Sequence, residues 1–225
     1  MKWKPINTGF QLPSKVVYGA KHVNILRNML ERHVKIPHRL VCVTDDAEGI
    51  DQRIEVIPIW NKCRELGGCY NRLWVFSKEA GELFGPRFCC IDLDCVILKD
   101  CTAMFSRREP FIMNAYNSRD KRSPDQHYNG SLIMMDAGAR SSVWDEFDPA
   151  VSPAIAQADP HTIGTDQAWI RHHLGKGEAR FTERDGVFEA RHVKSLPLPN
   201  VRMVFFSGPR DPVTLKHPWI IKHWR

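Results

Sequence analysis

An α/β fold with a mixed, mostly parallel central sheet flanked by helices is what this sequence predicts. Two observations carry the expectation. In the first half, short apolar segments of strand length alternate with helical patterns, the order that gives parallel strands joined by crossover helices. In the second half, strands follow one another more directly, which makes the sheet mixed. The length of 225 residues suits one domain spanning 1–225, because a single core keeps growing up to roughly 250–300 residues.

An irregular stretch to Ser14 precedes a short strand, Lys15 to Gly19, that ends in a glycine turn. Val23, Ile25, Leu26, Met29, Leu30 and Val34 then recur at helical spacing, predicting a helix over 21–34 that Pro37 closes. Arg39 to Thr44 reads as a buried strand ending in Asp45-Asp46, and Ile54 to Ile57 as another that stops at Pro58. A helix is expected from Tyr70 to Ala80. Arg87 to Leu98 reads as one apolar strand with two aspartates near its end. Phe111 to Ala115 and Tyr128 to Met135 are two further strands, separated by a polar, charged surface loop. Short helices are expected near Ser141–Phe147 and Asp166–Leu174, and late strands at Val187–Val193 and Val201–Phe206. The turns at Tyr18-Gly19, Asp45-Asp46 and Asp92–Asp94 fall at strand ends, where α/β sheets bind ligands.

Composition narrows the function classes. Hydrophobic residues are 43% and charged residues 26%, ordinary globular values that exclude disorder, collagen and coiled coil for the whole chain. No apolar run approaches the ~18–20 residues of a membrane span, and the first residues lack the apolar stretch of a signal peptide. The expectation is a cytoplasmic chain without a membrane span. Seven cysteines, an odd number with no C-x-x-C pair, speak against a disulfide framework and against a zinc site. A net charge of +6 favours anionic ligands such as nucleotides, nucleic acids or acidic lipid surfaces without choosing among them.

Asp92 and Asp94 carry the sharpest chemical signal. On an extended strand, residues two apart face the same side, so both carboxylates would enter one space. Carboxylates beside an apolar run need a partner, and Mg²⁺ or Mn²⁺ prefers such oxygen ligands. The D-x-D pair alone equally describes a solvated strand end.

Further segments occur in a familiar order. They are Val17-Tyr-Gly-Ala-Lys-His22, Val41-Cys-Val-Thr-Asp-Asp46, Asn71-Arg-Leu-Trp74, Cys90-Ile-Asp-Leu-Asp-Cys-Val-Ile97, Tyr128-Asn-Gly-Ser-Leu-Ile-Met-Met135, Gly164-Thr-Asp-Gln-Ala-Trp169 and Val204-Phe-Phe-Ser-Gly-Pro-Arg-Asp-Pro212. Together they resemble the nucleotide-sugar-dependent glycosyltransferases of the GT-A fold, especially the glycogenin-like family 8. The resemblance covers residues 15–224, and its weight lies in the ordered set.

What the resemblance implies is specific. Asp94 and Asp92 would bind Mn²⁺ or Mg²⁺, with Asp92 also touching the nucleotide sugar. Tyr18, Gly19 and His22 would form the nucleotide loop, with His22 in the place of a base-stacking aromatic. Thr44 and Asp45 would border the base. Arg72 would lie near the phosphates, whose oxygens suit a guanidinium. Asn129 would contact the donor sugar, and Asp166 and Gln167 would lie beside the anomeric carbon or the acceptor. Gly208 and Arg210 belong to the terminal glycine motif. Each has a plainer reading: an exposed helical Arg72, a solvated His22, a turn at Asn129 and helix capping at Asp166. The donor would be a hexose-bearing UDP sugar and transfer would be retaining. The acceptor would be a glycan, a protein or a modified DNA base.

The terminal motif departs from the family. The position of its metal-binding His holds Phe205, or Ser207 in a variant spacing, and that of its phosphate-binding Lys holds Asp211. Arg210 could supply the lost charge and His217 the lost ligand. A catalytically weak or inactive nucleotide-sugar binder is therefore one alternative. A DNA-base glycosyltransferase using the basic loop residues Arg119, Lys121 and Arg122 is another, and its binding would weaken steeply with salt. The basic, aromatic end with Trp219 and Trp224 would either dock on the core or stack on a ligand. A P-loop kinase finds no support, because no G-x-x-x-x-G-K-S/T run occurs.

Overall fold

Helix α1 (Ala20–His33) sets the first layer. Val23, Leu26, Met29 and Leu30 bury one face of it, as their spacing predicts. His22, on its first turn, accepts the Gly19 amide N–H at 3.2 Å. Arg32 and His33 occupy the last turn, where the helix dipole favours cations. This computed structural model describes residues 18–64, 66–116, 127–158, 165–193, 199–207 and 210–225. Most of the expected strand from Lys15 to Gly19 lies outside them.

The described strands are β1 (Val41–Thr44), β2 (Glu55–Pro58), β3 (Arg87–Ile91), β4 (Cys95–Ile97), β5 (Phe111–Ala115), β6 (Tyr128–Asp136), β7 (Ala179–Phe181), β8 (Val187–Glu189) and β9 (Met203–Phe205). The remaining helices are α2 (Asn61–Arg64), α3 (Ala80–Phe84), α4 (Thr102–Phe105), α5 (Ser142–Asp145), α6 (Ser152–Ala158), α7 (Asp166–Leu174) and α8 (Pro218–His223).

The strands form a β1–β2 pair, a sheet ordered β3-β6-β5-β7 and a sheet ordered β4-β9-β8. Mixed pairing is as expected, but parallel pairing does not predominate among the described residues. β1–β2, β5–β7 and β8–β9 are parallel, while β3–β6, β5–β6 and β4–β9 are antiparallel. β5 ends at Ala115 and β6 begins at Tyr128, and the two run antiparallel; most of the polar segment expected between them lies outside the described residues.

The four-stranded sheet separates two cores. Ile112, Leu132, Met134 and Phe181 face a cluster that also holds α1, β4 and β9. The alternate residues Phe111, Met113, Ile133 and Met135 face a second cluster with Trp169 and Ile170 of α7. This is the two-residue period of a strand buried on both faces.

Three expectations change at the site. The helix expected over 70–80 is a 3-10 helix, Gly68–Phe76, followed by α3. Tyr70 and the run Leu73–Phe76 are buried, Trp74 in one apolar cluster and the others in a second. The single strand expected over 87–98 is two strands in different sheets, with Asp92–Asp94 as the link between them. The strand expected over 187–193 ends at Glu189 and continues as a 3-10 turn, Ala190–His192.

Other elements agree. α7 spans Asp166–Leu174 as expected. The seven cysteines are free. Among the described residues no helix is long and apolar enough to cross a membrane.

Candidate active site

A break in one strand ladder builds the site. The β5–β6 register runs Met113 with Ile133, then jumps to Asn114 with Asn129. Gly130, Ser131 and Leu132 thus leave β5, Leu132 still pairing with Ile91 of β3, and such irregularities re-aim side chains. The freed segment is held by side chains. Asn129 Oδ1 accepts the Ser131 amide at 2.8 Å, Gln167 Oε1 accepts the Gly130 amide at 2.9 Å, and Asn114 Nδ2 donates to Ser131 Oγ at 2.8 Å.

Asp92 lies where β3 leaves this ladder. Its amide still donates to the Ser131 carbonyl at 2.9 Å, and the Asp94 carbonyl accepts the Phe206 amide at 3.1 Å. The D-x-D link is therefore tied to β6 at one end and to the end of β9 at the other. Its closeness comes from two sheets meeting, not from the alternation of one strand.

Arg72, on the 3-10 helix, is the hub. Its Nη2 donates to Asp92 Oδ1 at 2.9 Å, its Nη1 donates to the Gly130 carbonyl, and its Nε lies 3.6 Å from Asp166 Oδ2. Asp166 is 3% exposed at the start of α7 and accepts the Cys69 thiol. Burial opposes the Arg72 charge, but Asp92 and Asp166 more than offset it and raise its pKa. Burial raises both carboxyls, with Arg72 pulling each back down. Arg72 is thus neither an exposed helical arginine nor a free phosphate hook.

Among the described residues no guanidinium is bonded to Asp94, and Arg72 acts on it only weakly. Burial, then Asp92, then Asp211 push its carboxyl well above the usual range. Surplus negative charge has collected here.

The nucleotide-loop candidates form a second group. Tyr18 Oη donates to Asp211 Oδ2 at 2.9 Å. The Tyr18 ring stands edge-on to His22 at 5.1 Å, and Trp224 tilts over His22 at 5.8 Å. His22 is only 8% exposed, and burial lowers its pKa despite Asp211. Gly19 precedes α1. Thr44 closes the turn after β1, accepting the Asp46 amide at 3.1 Å, beside an exposed Asp45.

The sequence matches no family profile and no curated protein. Solved structures do match. The galactosyltransferase LgtC, solved with donor and acceptor sugar analogues, superposes with a TM-score of 0.59 at 12% identity, over 86% of this chain and 85% of that one. An active-site mutant of LgtC gives 0.62 at 11%, over 90% and 89%. The glycosyltransferase GlyE of Streptococcus pneumoniae TIGR4 gives 0.53 at 11%, over 88% of this chain and 53% of GlyE. The chain has the fold of the GT-A glycosyltransferases.

Within this GT-A fold the terminal motif is placed unevenly. Phe205 is 2% exposed inside β9, paired with Cys95 and Glu189, so its side chain belongs to the core. Ser207 lies past the strand end and donates to Glu189, which also pairs with Arg191 at 2.7 Å. His217 precedes α8 and stacks on Trp219 at 6.4 Å. Arg210 is exposed. Gly164, Gly208, Arg119, Lys121 and Arg122 lie outside the described residues.

Asp92 and Asp94 offer only carboxylate oxygens, the donors of a hard divalent cation, and the surplus charge around Asp94 fits one. Among the described residues no three His, Cys, Asp or Glu side chains make a metal-binding group. Sequence reasoning missed Asn114, Ser131, Cys69 and Glu189. Asn114 had a signal, being the lone polar residue in the apolar run Phe111–Ala115, and a buried polar residue is informative.

Proposed function

We propose that this chain is a glycosyltransferase that moves a hexose from a UDP sugar to an acceptor with retention, in one domain over 1–225, in the cytoplasm. The observation that carries the reading is the meeting of the D-x-D link, Arg72, Asn129 and Gln167 at one sheet junction of a GT-A fold. Asp92 and Asp94 would hold Mn²⁺ or Mg²⁺, with water and diphosphate oxygens completing its shell. Such an ion, when bound, stabilises the charge of the departing diphosphate.

The other residues orient and bind. Arg72 fixes one oxygen of Asp92 and leaves the other for the ion. Asp166 braces Arg72 from the buried side. Asn129 and Gln167 hold the backbone of 130–131 and face the donor sugar. Tyr18, Gly19, His22, Thr44 and Asp45 bound the nucleoside, with Tyr18 taking the stacking place that a buried His22 does not offer. Arg210, two residues after Gly208 in the sequence, would offer a positive charge to the diphosphate where Asp211 is turned inward.

Calorimetric titration of UDP with Mn²⁺, then with EDTA, tests this. The expected result is binding that EDTA abolishes and that Asp94→Ala removes. Absence of UDP binding in every condition would overturn the reading. Ser207 and Phe205 at the family's His positions favour one second reading, a binder without turnover. Metal-dependent UDP binding with no release of UDP from any UDP-hexose would support it.

A further inference from the structure

We infer that Asp211 is a positioning residue for nucleotide binding, holding Tyr18 in the one orientation that faces the base. The inference rests on the nucleotide-sugar site proposed above. In family 8 the resemblance places a phosphate-binding lysine here. In this chain the side chain does something else.

Asp211 is 3% exposed and its carboxylate has a holding bond besides the one to Tyr18. Oδ1 accepts the Val213 amide at 2.7 Å, and the amides of Thr214 and Leu215 return to the Asp211 carbonyl at 3.1 and 3.0 Å. That tight turn leaves Oδ2 aimed at Tyr18 Oη, 2.9 Å away across a separation of 193 residues. Burial, with Asp94 and Asp211 adding, drives the Tyr18 phenol far above its ordinary pKa, so it remains a donor.

The same terminal segment holds the loop at a second point. Trp224 covers His22, and Tyr18 stands edge-on to the same His22 ring. Arg32 fixes the backbone behind Trp224, donating to the carbonyls of His223 at 2.8 Å and Arg225 at 2.6 Å. Tyr18 therefore has a hydroxyl anchor at its tip and a packed ring at its edge. A side chain ordered beforehand saves the entropy of ordering it on binding, worth about threefold to tenfold in affinity.

The test is a double-mutant cycle read by UDP calorimetry, with Mn²⁺ and with EDTA, each protein checked for folding by thermal melting. Tyr18→Phe and Asp211→Ala are each expected to weaken UDP binding about threefold to tenfold. The double variant should lose no more than either single one, because both remove the same bond. Asp211→Asn keeps a carbonyl acceptor and should stay within about twofold of wild type. In each of them EDTA should still abolish the remaining binding.

Multiplying losses, or an Asp211→Asn as damaging as Asp211→Ala, would overturn the inference. So would loss of the Mn²⁺ dependence, which would make Asp211 a metal ligand, or tighter UDP binding in Asp211→Ala, which would make it a repulsive charge. If Asp211→Ala does not fold, Asp211→Ser takes its place in the cycle, since its hydroxyl can still accept the Val213 amide but is too short to hold Tyr18. Wild-type protein that binds no UDP would overturn the nucleotide reading and this inference together, whereas a binding wild type with an additive cycle overturns this inference alone.

Discussion

Gly130 makes room for Arg72. A Cβ on Gly130 would lie 2.5 Å from Arg72 Nη1 and 3.5 Å from Asp166 Oδ2. The requirement is one of space, since Gly130 is not among the glycines with positive φ. Arg72 has a flexible stem, yet yielding would break its bonds to the Gly130 carbonyl and Asp92. Gly130→Ala is therefore expected to keep the fold and weaken Mn²⁺-dependent UDP binding by about tenfold, the value of one charge-assisted hydrogen bond lost. Calorimetry on a variant whose melting temperature stays within a few degrees would check it.

Arg72→Ala removes the one cation paired with Asp92 and Asp166 among the described residues. Leaving buried charge unpaired costs about 3–5 kcal/mol, and the lower end applies because the Asp92 side chain is 34% exposed. For a chain of this size that is a fall in Tm of roughly 6–12 °C. Without Arg72, both carboxyls rise further above their unfolded values. Protonation then favours the folded state, so the deficit is full at neutral pH and shrinks as pH falls through the carboxylate range. Melting curves of both proteins between neutral and acidic pH would show the gap closing, and a gap independent of pH would assign the loss to packing.

Ser207 is the place to restore a nitrogen ligand. It follows Phe206, whose amide bonds the Asp94 carbonyl at 3.1 Å, and it lies past the end of β9, half-buried. Ser207→His is expected to tighten Mn²⁺ binding in the presence of UDP by about tenfold. Phe205→His puts an imidazole into a 2% exposed core position and should cost about 3 kcal/mol with no gain in Mn²⁺ affinity. A titration of Mn²⁺ by paramagnetic resonance separates the two, and equal Mn²⁺ affinity for Ser207→His and wild type would place the ion away from residue 207.

The ordered motifs made the GT-A fold legible, because α1, α7 and the apolar strands each carry their own periodicity. The pairing directions did not show. Whether β6 runs with or against β3 depends on how the chain returns, and apolar runs look alike either way. The D-x-D pair was found for a reason that the structure replaces: alternation along one strand would have aligned the carboxylates, whereas the junction of two sheets does so here. The partnership of Arg72 with Gly130 and that of Tyr18 with Asp211 join residues far apart in the chain. No local pattern marks such bonds, so in the sequence Asp211 shows only as the residue at the family's lysine position.

Buried thiols report on the same junction. Burial pushes the Cys63 thiol up to about 11, Cys90 up to about 11 and Cys101 up to about 12. At pH 8 the reactive thiolate is then about a thousandth of Cys63 and Cys90 and about a ten-thousandth of Cys101. Iodoacetamide at pH 8 should leave all three largely unlabelled in the native protein and label them in guanidinium chloride. Their order of labelling carries more. Cys63 is 2% and Cys101 0% exposed, whereas Cys90 is half-buried two residues before the partly exposed Asp92. Local opening at the end of β3 therefore exposes Cys90 first, since site segments open at lower cost than the core. UDP with Mn²⁺ should slow Cys90 alone, by binding only the closed form. Mass spectrometry of timed samples reads each cysteine separately. Labelling of Cys101 before Cys90, or protection of all three alike, would mean that the junction opens only when the whole chain unfolds.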